Sequence, residues 1–212
     1  MASETNPTLL DKFGLGLALV MGALVLASGP QYMFWLFLLF LVMSVAVTKY
    51  GFAKKREIGL YEHERSWENV LANGLIPTAA AVAFPFIGAG AYVGAVAAIA
   101  ADKFASELGV LGSEPVSLLS FKKGKRGESG CISLLGTLMS LDGALIIGAG
   151  FWLLNPAFSI WTIVYIGAIG FAGSFADSLA GVLEEKGIGT KATTNMICAA
   201  VGALLGFAFL FK

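Results

Sequence analysis

The chain has 212 residues, 57% of them hydrophobic and only 13% charged, with 27 glycines and a mean hydropathy of +0.81. A water-soluble domain has no core large enough to absorb that much apolar surface, so the composition excludes an ordinary soluble fold. Lysine plus arginine and aspartate plus glutamate both number 14, so net charge gives no signature of a nucleic-acid partner, and none is expected.

Apolar windows at 13–28, 31–48, 70–87, 88–110, 131–154, 157–182 and 193–211 predict an all-α, polytopic transmembrane helix bundle occupying 1–212 as one integral-membrane domain. The first window ends in small residues, but the segment Glu4 to Lys12 before it is not basic, so it reads as a retained span rather than a signal peptide. Seven crossings are favoured. Six is the alternative, because the third window carries Pro77 and Pro85 and reads as broken or re-entrant.

Basic residues divide the connections. Lys49, Lys54, Lys55, Arg56 and Arg65 fill the second, Lys122, Lys123, Lys125 and Arg126 the fourth, and Lys186 and Lys191 the sixth, whereas the odd connections have no lysine or arginine. By the positive-inside rule the even connections and the N-terminus are expected to be cytoplasmic, in a multi-pass protein of the cell membrane. The stretch Lys49 to Glu68 mixes charges with aromatics, as an interfacial amphipathic segment does, and its His63 reads as a solvated loop residue. Cys131 and Cys198 lie at or inside apolar segments and read as small hydrophobes, not a disulfide.

Four acids, Asp102, Glu107, Asp142 and Asp177, fall in or at the ends of predicted spans. A central aspartate costs roughly 2.5–3.5 kcal/mol on the insertion scale, so such residues are read first as functional. Asp102, Glu107 and Asp177 fall toward the expected cytoplasmic ends and converge on one aqueous pocket, while Asp142 lies deeper. Helical spacing puts Asp102 with Ser106, and Ser174 with Asp177 and Ser178, on common faces, and sets Asp102 and Glu107 about 140° apart. The plain structural alternative pairs Lys103 with Glu107 one turn apart. The patterns Ala101-Asp102-x-x-Ala105 and Ala176-Asp177-x-x-Ala180 suggest a parallel internal repeat.

The fourth connection, Phe121 to Gly130, leads into Cys131-Ile132-Ser133-Leu134, read as running straight into a helix. Its glycines, four cations and following helix N-terminus suit a phosphate cradle, although a topology signal alone would explain the charges. Carboxylates beside such a loop suit Mg²⁺ and phosphoryl groups, which favour oxygen ligands and cationic neutralisation.

The strings Trp67-Glu-Asn-Val-Leu-Ala-Asn-Gly74, Ala101-Asp-Lys-Phe-Ala-Ser-Glu-Leu-Gly109, Gly127-Glu-Ser-Gly-Cys-Ile-Ser-Leu-Leu-Gly-Thr-Leu138 and Gly173-Ser-Phe-Ala-Asp-Ser-Leu-Ala-Gly181 occur in that order. Together they resemble the plant phytyl-phosphate kinase family, which includes the human transmembrane-protein-19 type and archaeal and bacterial members. The resemblance runs from about Lys49 to Phe211. It implies a membrane-embedded transferase that converts a prenyl monophosphate (phytyl, farnesyl or geranylgeranyl type) to the diphosphate, with CTP or another nucleoside triphosphate as donor and Mg²⁺ as cofactor. The expected catalytic and metal-holding residues are Asp102, Glu107 and Asp177. Lys122, Lys125, Arg126, Gly127, Ser129 and Gly130 are expected to bind phosphates, and Asn73, Ser106, Ser174, Ser178 and Asn195 to complete the pocket. The residues also leave open cytidylyl transfer to a lipid phosphate, a lipid or small-molecule transporter, and a structural scaffold.

Overall fold

A computed structural model describes residues 11–60 and 66–211. His63 lies outside them. The helices are α1 (Lys12–Ser28), α2 (Gln31–Lys49), α3 (Phe52–Glu57), α4 (Trp67–Val82), α5 (Phe84–Ile87), α6 (Gly90–Gly109), α7 (Leu134–Leu154), α8 (Trp161–Glu185) and α9 (Lys191–Phe209). One long helix thus occupies each predicted apolar window. Four of them, α2, α7, α8 and α9, are long and apolar enough to cross a membrane. The apolar α1 has 17 residues, and α6 carries Asp102, Lys103 and Glu107.

The third window is broken as its prolines require. Pro77 sits inside α4, where it withholds the N–H that would have bonded the Asn73 carbonyl, and α4 ends at Val82 before Pro85 enters the first turn of α5. At the other end, the Asp11 side chain caps α1 by accepting from the Gly14 N–H and also accepts from the Trp67 N–H at 3.1 Å, tying the starts of α1 and α4 together.

Helix α6 is the axis of the bundle. Residues Gly90 to Asp102 are buried without interruption, because neighbours close on it from all sides through residues lacking side-chain bulk. A Cβ at Gly94 would collide with the Gly202 carbonyl oxygen, and one at Gly90 with that of Gly206, so α9 lies backbone against backbone on α6. The same holds for α7, where a Cβ at Gly143 would come within 2.7 Å of the Ala100 carbonyl oxygen. On α8, a Cβ at Gly170 would come within 2.8 Å of the Ala97 carbonyl. In lipid the hydrophobic effect between helices is weak, and close approach with dispersion contacts supplies the association.

The even connections gather at one end of this bundle. Gly51 packs on Leu111, Gly127 on Leu60, and Gly130 on Gly181 and Val182. The odd ends meet at the other, where Tyr92 donates to the Met33 carbonyl at 2.6 Å and Phe151, Phe158 and Phe211 form one aromatic cluster.

Three expectations are corrected. The fourth connection does not run straight into a helix: Cys131–Ile132 pair antiparallel with Val116–Ser117 as the strands β2 and β1, and α7 starts at Leu134 behind the Ser133 cap, which accepts from the Gly136 N–H at 3.1 Å. Asp142 is exposed on the outer face of α7, because its neighbour Gly143 is the residue turned to α6. Lys55, read among the cations that fill the second connection, lies in the short helix α3 and is 1% exposed.

Gly94→Leu places a branched side chain where a carbonyl stands, and overpacking of this kind costs about 1–3 kcal/mol. The melting temperature in detergent is expected to fall by roughly 2–12 °C, while Gly16→Leu, whose Cβ meets nothing within 4 Å, leaves it unchanged.

Candidate functional site

A cavity of about 470 Å³ opens at the end of the bundle where the even connections meet. Its floor is made by α6 and α8, its sides by α4, α7 and α9, and its roof by the loop 126–133. Of the residues singled out from sequence, Asp102, Glu107, Asp177, Arg126, Gly127, Ser129, Gly130, Asn73, Ser106, Ser174, Ser178 and Asn195 all line it. Lys122 and Lys125 do not: both are exposed on the outer side of the loop, where the Lys125 N–H bonds Glu128 at 2.8 Å. Lys123 is likewise spent at the surface, paired with Glu114 at 2.7 Å. That hydrogen bond, reinforced by the lysine charge, holds the Glu114 carboxyl below its ordinary range.

The loop is seated by glycines. Gly127 and Gly130 take φ of +78° and +70°, in the left-handed region that side chains disfavour. A Cβ at Gly130 would also come within 2.8 Å of the Val182 backbone nitrogen, so loop and α8 touch through main chain alone. Gly181 is one helical turn beyond Asp177, and this contact therefore sets Ser129 and Gly130 over the aspartate.

The acids fall into two groups with different partners. Glu107 is enclosed by cations: Lys55 Nζ reaches it at 2.8 Å and Lys103 Nζ from one turn earlier, while the Thr48 hydroxyl donates at 3.2 Å. The same Lys55 ammonium donates to the Val47 and Thr48 carbonyls at 2.7 and 3.2 Å, capping the C-terminus of α2. Glu107 is therefore the anchor that satisfies a buried lysine, and the alternative Lys103–Glu107 pairing is realised.

Asp102 and Asp177 form the second group, 7% and 5% exposed, and both act electrostatically on Lys191. Lys191 Nζ bonds Asp177 Oδ2 at 2.8 Å, while among the described residues Asp177 Oδ1 is buried and has no hydrogen-bond partner. Asn195 Oδ1, Ser140 Oγ and Glu184 Oε2, on residues that line the same cavity, are also buried without a partner. Orphaned buried oxygens carry a desolvation penalty and mark a place where a bound group completes the bonding.

Among the described residues no cluster of three or more acids, histidines or cysteines stands ready to hold a metal. The expected set of Asp102, Glu107 and Asp177 is accordingly not assembled as a cage, because Glu107 is turned to its lysines. The unpartnered oxygens of Asp177 and Asn195, in the cavity that the Asp102 carboxylate also lines, fit the mode typical of Mg²⁺, in which one or two carboxylates share the ion with substrate phosphates.

Lys103 and Lys191 are the cations that sequence reading did not assign to the site. Lys191 carried one signal: it begins α9, directly after the Thr190 cap, where the helix dipole disfavours a positive charge. Burial, with Glu128 beside it, pushes the Cys131 thiol up to about 11, so it stays protonated and unreactive at neutral pH.

Lys55→Met removes one partner of a buried pair and two helix-capping bonds, and is expected to cost on the order of 3–5 kcal/mol. Thermal unfolding in detergent is the measurement: the exposed Lys186→Met should be silent, and Glu107→Gln in the Lys55→Met background should restore part of the loss.

The family of integral membrane protein DUF92 matches residues 2–208. The uncharacterized membrane protein MJ0933 of Methanocaldococcus jannaschii is 39% identical over 207 residues, covering 93% of this chain and 84% of that protein. Protein PGR of Arabidopsis thaliana is 27% identical over 178 residues, covering 69% of this chain and 62% of its own length. No solved structure matches. The chain belongs to the DUF92 family of integral membrane proteins.

Proposed function

We propose that this protein is a membrane-embedded phosphotransferase that extends a prenyl monophosphate to the diphosphate with a nucleoside triphosphate, CTP being the expected donor. One observation carries the reading: a single cavity at the basic end of an apolar bundle combines two buried aspartates, three cations (Lys103, Arg126 and Lys191) and a main-chain glycine loop. The family resemblance noted in the sequence gives the acceptor its class. Seven crossings with the N-terminus and the basic connections in the cytoplasm would open the cavity to cytoplasmic nucleotide.

The chemistry requires little proton transfer. An ionised oxygen of the lipid phosphate attacks the terminal phosphorus of the donor, the bond from that phosphorus to the bridging oxygen breaks, and the nucleoside diphosphate leaves with the electron pair. Catalysis then rests on positioning and charge neutralisation. Arg126 and the Gly127–Gly130 main chain would orient the donor phosphates, while Lys103 faces the acceptor. Asp102 and Asp177, with the Asn195 oxygen, would hold Mg²⁺, which supplies charge neutralisation on the phosphoryl group. Lys191 serves Asp177 as counter-ion, and its charge also acts on Asp102.

The test is transfer of label from the terminal phosphate of CTP or ATP to phytyl, farnesyl and geranylgeranyl monophosphates by the purified full chain with Mg²⁺. Asp102→Asn, Asp177→Asn and Lys191→Met should each lower kcat by about 10²-fold or more, with folding retained by melting temperature. Product mass separates phosphoryl from cytidylyl transfer. Absence of any transfer, or full activity in both aspartate variants, ends the reading. Orientation is checked separately: a cysteine at Lys186 should react with an impermeant thiol reagent only from the cytoplasmic side, and one at Asn155 only from the other.

A further inference from the structure

A second cavity, of about 270 Å³, lies between α1, α2 and α4, with Lys103 of α6 at its edge. Its walls are almost wholly apolar, with Leu15, Leu19, Phe37 and Leu41 among them, and its polar groups are few. Three of these, Asn69, Asn73 and Lys103, also line the charged cavity. The two spaces therefore share one wall, charged on one side and apolar on the other.

The shared rim is built rather than incidental. The Asn73 amide donates to the Asn69 carbonyl at 2.9 Å and to its side-chain oxygen at 3.1 Å, fixing the two amides together. Pro77, one turn further along α4, withholds an N–H from the Asn73 carbonyl. Lys103 places a cation at the same boundary. An occupant that satisfies both sides carries an anionic, hydrogen-bonding head and one slender apolar chain.

Resting on the phosphotransferase reading, we propose that the α1–α2–α4 groove is the acceptor's tail site: it takes the hydrocarbon chain of a linear prenyl monophosphate whose phosphate sits at the Asn69–Asn73–Lys103 rim. The tail of such a substrate is already in lipid, so seating it gains little from the hydrophobic effect. What the groove supplies is position. It aims the phosphate of a long-chain acceptor at the donor and so discriminates by chain length, an effect seen in kcat/KM.

Gly22 gives a clean way to fill the groove. It lines the apolar cavity, and a Cβ there would meet only the Phe34 ring, at an ordinary 3.9 Å. The full chain reconstituted in phosphatidylcholine vesicles is assayed, as wild type and as Gly22→Phe, with geranylgeranyl monophosphate and with the short isopentenyl monophosphate. The variant is expected to lose about 10-fold or more in kcat/KM for the long acceptor while the short one changes by less than about 2-fold. Equal losses for both acceptors, or none for either, overturn the groove assignment. If the wild type phosphorylates neither, the phosphotransferase reading fails, and the groove is judged by a second readout. A geranylgeranyl monophosphate with a photoreactive tail should then crosslink to α1 and α4, with competition by unlabelled geranylgeranyl monophosphate but not by added phosphatidylcholine, and Gly22→Phe should abolish it. Labelling elsewhere, or equal competition by bilayer lipid, rejects the site.

Discussion

The close approach of α6 to α7, α8 and α9 is the constraint on which the rest of the structure depends. Wherever Gly90, Gly94, Gly143, Gly170 and Gly202 stand, a single added carbon would strike a neighbouring backbone or side chain. In lipid there is no water to expel between helices, so small residues bring the backbones into contact and let dispersion act over a long seam. The consequence lies at the end of the seam. Asp102 is on α6 and Asp177 on α8, both in the C-terminal halves of their helices, and tight packing brings both under the charge of one lysine at the start of α9, which pairs with Asp177.

Burying those charges is costly in a membrane, and the chain handles each with a different device. Glu107 takes two lysines, one of which also caps α2, so this cluster ties α2 to α6 and is satisfied from within. Asp177 takes one lysine on one oxygen and leaves the other oxygen buried without a partner. The first arrangement has what a structural ion pair needs. The second keeps a desolvation cost that packing alone does not remove, and it does so next to a cavity lined by three more such oxygens. A site that must bind and release a polyanion has reason to hold bonding capacity in reserve.

Much of the fold was legible because lipid simplifies the code. Apolar runs of helical length had one available reading, and a long helix lies in each; alternating basic connections foretold which ends meet. The break between α4 and α5 just before Pro85 is legible for the same reason, whereas α4 runs on through Pro77. The loop was less so. β1 and β2 have two residues each, too few for any periodicity, and the loop's seat on α8 is a main-chain contact that side-chain patterns do not express. The site residues singled out from sequence share one cavity, apart from the cations Lys122 and Lys125. Lys122 and Lys125 were picked for density of charge, yet a hairpin sends such side chains outward to water, whereas Lys103 and Lys191 were passed over because each looked accounted for, one as a helical partner and the other as a topology signal. Asp142 shows the limit from the other side: helical phase relative to Gly143 decides its direction, and Gly143 is the residue turned to α6.

The position of the cavity narrows the chemistry it suits. Its cations are few and fixed: Lys103 is held by Glu107, Lys191 by Asp177, and Arg126 sits on a loop pinned by Gly127 and Gly130. Each therefore offers part of its charge to a ligand without rearrangement, which is the condition for preorganised stabilisation of a developing negative charge. A protein that only moved a lipid head group would need these contacts to weaken and re-form as the site changed access. Here the loop is seated by backbone against α8, and α8 by backbone against α6, so the polar end of the bundle is braced rather than hinged. On the proposed reading, a cation-bearing, oxygen-rich hollow that shares a wall with an apolar groove suits bringing two phosphate-bearing molecules together, one from water and one from the bilayer.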